Sequence, residues 1–156
     1  MQKHTENAIF TELIAIAKNA TCARSKCGSI VVATNGEVIG RGYNSPPGEH
    51  EGQRRCGNEK SEYNIKVTDK TCCVHAEQRA LFDALRNGTG KIAGSTLFFL
   101  RCTAENEPMH AGSPYCTICS KMALDLGVAY FALWHEGGWA YYDTKTYNTL
   151  SYEYEG

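Results

Sequence analysis

Hydrophobic positions along the chain change their period from block to block, and the changes mark out the elements. Ile9, Phe10, Leu13, Ile14, Ile16 and Ala17 recur three and four residues apart, which places them on one face of a helix over about residues 5–20. Residues 29–33 and 37–42 are then β-prone runs on either side of Thr34-Asn35-Gly36. Asn-Gly between two such runs predicts a hairpin, because both residues accept the positive φ of a tight turn. From Gly42 to about Thr71 the chain is polar and broken by Pro46, Pro47, Gly48, Gly52 and Gly57. A loop of that length in a compact domain is expected to serve a function.

Helical spacing resumes over 75–86, where Ala76, Ala80, Leu81, Ala84 and Leu85 share a face and Asn87-Gly88 ends the run. Residues 95–100 read as an apolar strand, and 102–112 as a polar loop. Pro114 and Cys116 open a third helix with Ile118, Met122 and Leu126 on one face, stopped by Gly127; residues 128–134 read as another strand. From Gly137 onward the chain is rich in tyrosine without a clear period, which leaves its strand or helix identity open. Strands joined through helices imply parallel neighbours, whereas the first hairpin is antiparallel. The expectation is an α/β fold with a mixed sheet in a single domain over 1–156, with its core at about 5–135 and an aromatic tail at 137–156.

Charge and cysteine content narrow the function classes. Sixteen basic and seventeen acidic residues give a net charge of −1, so the chain lacks the broad positive field that holds a nucleic-acid backbone. A nucleic-acid partner is not expected, and a small anionic substrate needs only a local basic pocket. No apolar run approaches the roughly 18 residues of a membrane span. Met1 to Asn7 is polar and lacks a leader pattern, so the eight cysteines are expected in a reducing cytoplasm. There, Cys-x-x-Cys with a distant His reads as metal binding before it reads as a disulfide.

Candidate chemistry gathers in two short motifs. His75-Ala76-Glu77 is followed, 41 residues after the histidine, by Cys116-Thr117-Ile118-Cys119. His75, Cys116 and Cys119 are three ligands suited to Zn²⁺, and three rather than four leave a position for water, as catalytic zinc sites do. Both ligand sets fall at predicted helix starts, whose positive dipole ends favour thiolates. Glu77 stands two residues from the ligand histidine, close enough to move the protons of such a water. A zinc-stabilised binding module without chemistry leaves the position of Glu77 unexplained.

The phrases Cys73-Val74-His75-Ala76-Glu77-Gln78-Arg79-Ala80-Leu81 and Gly112-Ser113-Pro114-Tyr115-Cys116-Thr117-Ile118-Cys119 resemble the cytidine and deoxycytidylate deaminase superfamily, whose zinc enzymes carry His-x-Glu and Pro-Cys-x-x-Cys. Tyr115 stands between Pro114 and Cys116, where the family places proline directly before the cysteine. The resemblance implies a three-layer α/β/α fold with a mixed, mostly five-stranded sheet. It also implies hydrolytic deamination, with zinc-bound hydroxide attacking C4 of cytosine and Glu77 carrying protons to N3 and then to the departing amine. In that mechanism the amide of Ala76 holds the base carbonyl, and a carbonyl near Ser113 receives the exocyclic amine.

Residues 24–32 and 40–48 resemble the deoxycytidylate branch, which points to dCMP. Asn44 would then meet the sugar hydroxyl, and Arg24, Lys26, Arg54 or Arg55 the phosphate. A nucleoside, a guanine-type base or a base in nucleic acid are the alternative substrates. The same branch implies a second, structural zinc on Cys22, Cys56 and Cys73, with Cys72 or His50 completing it, and a homo-oligomer. Cys27 and Cys102 read as core or strand-end residues. The aromatic tail is expected at an oligomer interface, over the pocket, or against a base.

Overall fold

The computed structural model describes residues 3–67 and 71–156. Met1 and Gln2 of the polar start and residues 68–70 of the long loop lie outside the described residues. The elements are α1 (Lys3–Ala17), β1 (Lys26–Val32), β2 (Val38–Tyr43), α2 (Ala76–Arg86), β3 (Thr96–Cys102), β4 (Pro108–Met109), α3 (Thr117–Asp125), β5 (Tyr130–His135), β6 (Gly138–Asp143) and α4 (Thr144–Tyr152). Five strands run in the order β2-β1-β3-β5-β6, and β4 adds a sixth beside β3.

Alternation along the strands divides the core into two layers. Ile30, Val32, Phe98, Leu100 and Ala132 face α1, where Ile9, Leu13 and Ala17 meet them at helical spacing. Val31, Leu97, Phe131 and Leu133 point the other way, against Ala80 and Leu81 of α2 and Ala123 of α3. The sheet therefore lies between α1 on one face and the other helices on the opposite one, in the three-layer arrangement expected. Among the described residues only β3 and β5 are parallel neighbours; β1 is antiparallel to both β2 and β3. The β2–α2–β3 connection steps over β1 and so does not place its two strands side by side.

The hairpin turn follows its sequence, with Gly36 at φ 88° and the Asn35 side chain accepting from the Glu37 amide at 2.9 Å. Close packing fixes α2 on β2. A Cβ on Gly40 would strike the Ala80 carbonyl, and one on Gly42 the Ala76 carbonyl, so neither position admits a side chain. Glycine here lets the helix that carries His-x-Glu lie directly on the sheet backbone.

Three segments depart from the sequence expectation. The polar 102–112 segment contains β4, whose Met109 pairs with Arg101 and whose Pro108 pairs with Cys102. Two residues are too few to show a period. The described residues of the long loop contain three single 3₁₀ turns, at Pro47–Glu49, Glu51–Gln53 and Lys60–Glu62. Its start is gripped by Arg79 of α2, which donates to the carbonyls of Tyr43 (3.0 Å), Ser45 (3.2 Å) and Pro46 (3.0 Å) and to the Ser45 hydroxyl.

The tyrosine-rich tail is not an appendage to a core ending near 135. Residues 138–143 pair with β5, and Asp143 caps α4 by accepting from the amides of Lys145 and Thr146. Tyr147 of α4 stacks on Phe131 with centroids 3.9 Å apart. Strand β6 is covered on neither face fully, so its residues never alternated cleanly enough to be read. No helix among the described residues is long and apolar enough to cross a membrane.

Candidate active site

Two helix starts converge under the long loop. His75 immediately precedes α2, with its amide donating to Gln78 Oε1 at 2.9 Å, and Cys116 immediately precedes α3, which carries Cys119 on its first turn. His75 Nδ1 lies 3.2 Å from Cys119 Sγ and 3.3 Å from Cys116 Sγ, and all three donor atoms fall within 4.8 Å of one another. Donors bound at about 2.1 and 2.3 Å to one tetrahedral ion stand about 3.6 Å apart, so this set closes on zinc with small adjustments. The other ring nitrogen, Nε2, meets Thr71 Oγ1 at 3.2 Å. A partner there fixes the ring so that Nδ1 faces the thiols.

The charges suit a cation. The hydrogen bond from Cys119, with help from His75, brings the Cys116 thiol down to about 4 against the opposing effect of burial. Cys119 is held well above its ordinary value by the same shared proton and by burial. Glu77, only 6% exposed, is pushed up to about 7 by burial and by the neighbouring Cys116 thiolate. A carboxyl poised near neutrality can both accept and return a proton. His75, Ala76, Glu77 and Cys116 line a cavity of about 240 Å³ together with Asn44, Phe99 and Tyr115. A larger groove of about 660 Å³ lies across the turn at Asn35 and Gly36, but no His, Cys, Asp or Glu lines it.

The other residues singled out from the sequence fall in different places. Asn44 lines the cavity, yet its side chain already spans Cys27 N (2.8 Å) and Ser25 O (3.0 Å). One amide hydrogen and one oxygen lone pair remain for a ligand. Arg24 reaches the cavity wall while donating to the carbonyls of Cys56 (2.6 Å) and Asn58 (2.8 Å). Lys26 is not at the cavity; its ammonium donates to Asn106 at 2.7 Å and fastens the turn after β3. Arg54 is engaged by Glu51 and Thr21, and Arg55 lies over the Tyr63 ring. Ser113 lines a small second compartment on the far side of Tyr115.

Sequence reasoning passed over Thr71, Phe99, Arg101 and Tyr147, all of which line these spaces. Arg101 alone had a visible signal, as a charge closing an otherwise apolar strand. Cys27, read as a core residue, is buried but also lines the cavity, and burial and the nearby Glu77 push its thiol up to about 12.

A second thiol group abuts the first. Cys22, Cys56 and Cys73 place their sulfurs within 4.8 Å of one another, and Cys72 lies 3.4 Å from Cys56 and 3.9 Å from Cys73. Burial opposes a Cys56 thiolate, but hydrogen bonds from the Ala23 amide, Cys72 and Arg54 bring it down to about 7. His50 is not part of this group; its ring lies against Gly52. Cys22, Cys56 and Cys73 converge as three thiolates on one ion would, whereas Cys72, close to Cys56 and Cys73 only, stands outside that group and would have to shift toward Cys22 to complete a tetrahedral set.

With this geometry in view, the comparisons with known proteins are decisive for the family. The profile described as the cytidine and deoxycytidylate deaminase zinc-binding region matches residues 3–133, a span that contains both thiol groups and Glu77. The chain belongs to the cytidine and deoxycytidylate deaminase family. It is a hydrolytic deaminase with a zinc-binding region. The dCMP deaminase of cyanophage S-TIM5, solved in complex with dCMP and dUMP, is similar at 27% identity over 84% of this chain and 81% of that one, with a TM-score of 0.56. Cytidine deaminase from Burkholderia pseudomallei shares the fold at 20% identity over 94% and 96%, with a TM-score of 0.59. No curated protein sequence matches the chain.

Proposed function

We propose that the protein deaminates a free cytosine nucleotide, dCMP in the first place, to dUMP and ammonia. The observation that carries this reading is the buried Glu77, which lines one cavity with His75 and Cys116 of the zinc-ligand set and with Asn44. The likeness to a deaminase solved with dCMP and dUMP supports the choice of substrate.

His75, Cys116 and Cys119 hold the zinc ion. That ion, when bound, supplies Lewis acidity that lets water give up a proton near neutral pH. Glu77 takes this proton and delivers it to N3 of the ring, then takes the second proton of the added water from the oxygen now on C4 and delivers it to the amine, which leaves as ammonia. Its burial beside the ligand set places the carboxyl where it can exchange protons with the water and the ring. Ala76 begins α2, so its amide has no partner within the helix and is available to the base carbonyl oxygen. The carbonyl of Ser113 receives the amine, and the unused hydrogen-bonding capacity of Asn44 meets the sugar hydroxyl. Phe99 and Tyr115 supply apolar surface for the ring.

Cys22, Cys56, Cys72 and Cys73 hold a second, structural zinc. They join the end of α1, the long loop and the approach to α2, and Cys22 and Cys73 also line the substrate cavity. A metal there would order the cavity wall.

The test is ammonia release by zinc-loaded protein from dCMP, CMP, deoxycytidine, cytidine, guanine, adenosine and a short single-stranded DNA, with Glu77→Ala as the blank. Glu77-dependent turnover led by dCMP is expected. Turnover led by any other member of the panel contradicts the substrate assignment, and no turnover on the whole panel contradicts the proposed function.

A further inference from the structure

The catalytic cavity opens into a second compartment, and one of its side chains, Arg101, has no role in the proposed chemistry. The compartment measures about 50 Å³, large enough for one compact group, and it meets the larger space at Glu77, Phe99, Tyr115 and Cys116. Its own walls include Arg101 and Ser113. Arg101 stands at the end of β3, paired in register with Cys27 on one side and Met109 of β4 on the other. The β3–β4 turn that supports it is closed by Thr103 donating to the Glu107 carbonyl at 2.8 Å and is fastened to β1 by Lys26.

The guanidinium of Arg101 is half-buried and has no partner among the described residues. The three ion pairs among them join other side chains, so even Glu77, in the same compartment, forms none with it. Burial and Glu77 push both Cys27 and Tyr115 upward, and the Arg101 charge opposes this only slightly, which places it within electrostatic reach of the cavity. The other arginines near the site are committed: Arg24 to two loop carbonyls, Arg54 to Glu51 and Thr21, and Arg79 to the start of the loop. Lys60, the other cavity cation without a side-chain partner among the described residues, is exposed and keeps its water. A half-buried guanidinium at a cavity wall, with its donors unused by the protein, is available to a ligand that enters there. A planar fork of N–H groups is answered best by the paired oxygens of a phosphate or carboxylate.

We infer that Arg101 is the specificity-determining residue of the cavity and receives a compact oxyanion carried by the substrate. This rests on the deaminase reading of the site and sharpens it. The oxyanion has two possible sources, the 5′-phosphate of a nucleotide or a carboxylate on the pyrimidine ring. Either one would seat in the Arg101 compartment, beside Glu77 and Cys116, and so fix the substrate next to the zinc-ligand set.

Binding to zinc-loaded Glu77→Ala, in which no ligand turns over, separates this inference from the deaminase reading. Calorimetric titration compares dCMP with deoxycytidine for the phosphate, and 5-carboxydeoxycytidine with deoxycytidine for the carboxylate. In the Arg101-containing protein one charged ligand is expected to bind more tightly than deoxycytidine. Adding Arg101→Gln should remove roughly tenfold to a hundredfold of that preference, the range of a charge-assisted hydrogen-bonded pair. Adding Arg101→Lys should restore part of it, since the charge returns without the fork. Loss in the dCMP pair assigns the phosphate, and loss in the carboxyl pair assigns the ring carboxylate. A preference that survives Arg101→Gln in both pairs overturns the inference, as does equal weakening of charged and neutral ligands. Either result leaves the deaminase reading intact. Conversely, an Arg101-dependent preference in a protein that releases no ammonia would sustain the inference and sink the reaction.

Discussion

The two thiol groups hold similar ligands on opposite kinds of support. His75, Cys116 and Cys119 are mounted at the starts of α2 and α3, helices pinned to the sheet by the glycine contact at β2 and by Ala123 and Leu81 in the core. Cys22, Cys56, Cys72 and Cys73 stand on loops, joined to regular structure mainly through the grip of Arg79 and the Ser45–Val74 bridge. A helix-borne set keeps its spacing without a metal, and three ligands leave room for water. A four-thiol set on loops depends on its metal for order and offers no open position. On the function proposed above, the contrast separates a centre for chemistry from one that shapes the cavity.

Breaking the helix-borne set should have the largest effect. Cys119→Ser is expected to lose the catalytic zinc and to drop ammonia release to background, with metal content per chain read by mass spectrometry. Cys56→Ser should cost one zinc per chain and lower the melting temperature by several degrees, at roughly 2–4 °C per kcal/mol for a chain of this size. It should also open residues 46–67 to proteolysis while leaving residual turnover. If Cys56→Ser leaves metal content and melting temperature unchanged, the loop-borne thiols are ordinary buried cysteines.

Weaker perturbations sharpen the same contrast. Thr71→Val removes the hydroxyl beside His75 Nε2 and should weaken zinc at the helix-borne set alone, by about 10- to 100-fold in chelator competition. Gly42→Ala pushes α2 off β2 and should destabilise the fold by about 1–3 kcal/mol in urea titration, without changing metal stoichiometry.

The same difference in support governs what could be read in the sequence. The convergence of His75, Cys116 and Cys119 was legible because fixed spacing, helix-start signals and an apolar face all point to one geometry. The elements around them were legible for the same reason: Ile9, Leu13 and Ala17 keep a helical period, and the Asn35-Gly36 turn has few other uses. Loop residues lack such a period. Lys26 fastens a turn instead of facing the cavity, and Arg24 divides its donors between two carbonyls, because partners brought close only by the fold decide where a long cationic side chain goes. Strand β6 and helix α4 escaped because a half-covered edge strand does not alternate and because Tyr147 earns its place by stacking on Phe131, a contact far away in sequence. Arg101 was visible as a charge after an apolar strand, but its lack of a partner is a property of the folded cavity.

The central claim is that Glu77 moves the protons of a zinc-dependent deamination. The most direct measurement is ammonia release from dCMP by Glu77→Gln alongside its zinc content. Gln keeps the shape and hydrogen bonding of the side chain but cannot accept and return a proton. The account predicts unchanged zinc and a rate lower by about 10²- to 10⁴-fold, the span of a general acid–base group. A Glu77→Gln protein that keeps its zinc and turns over dCMP at the wild-type rate would contradict it.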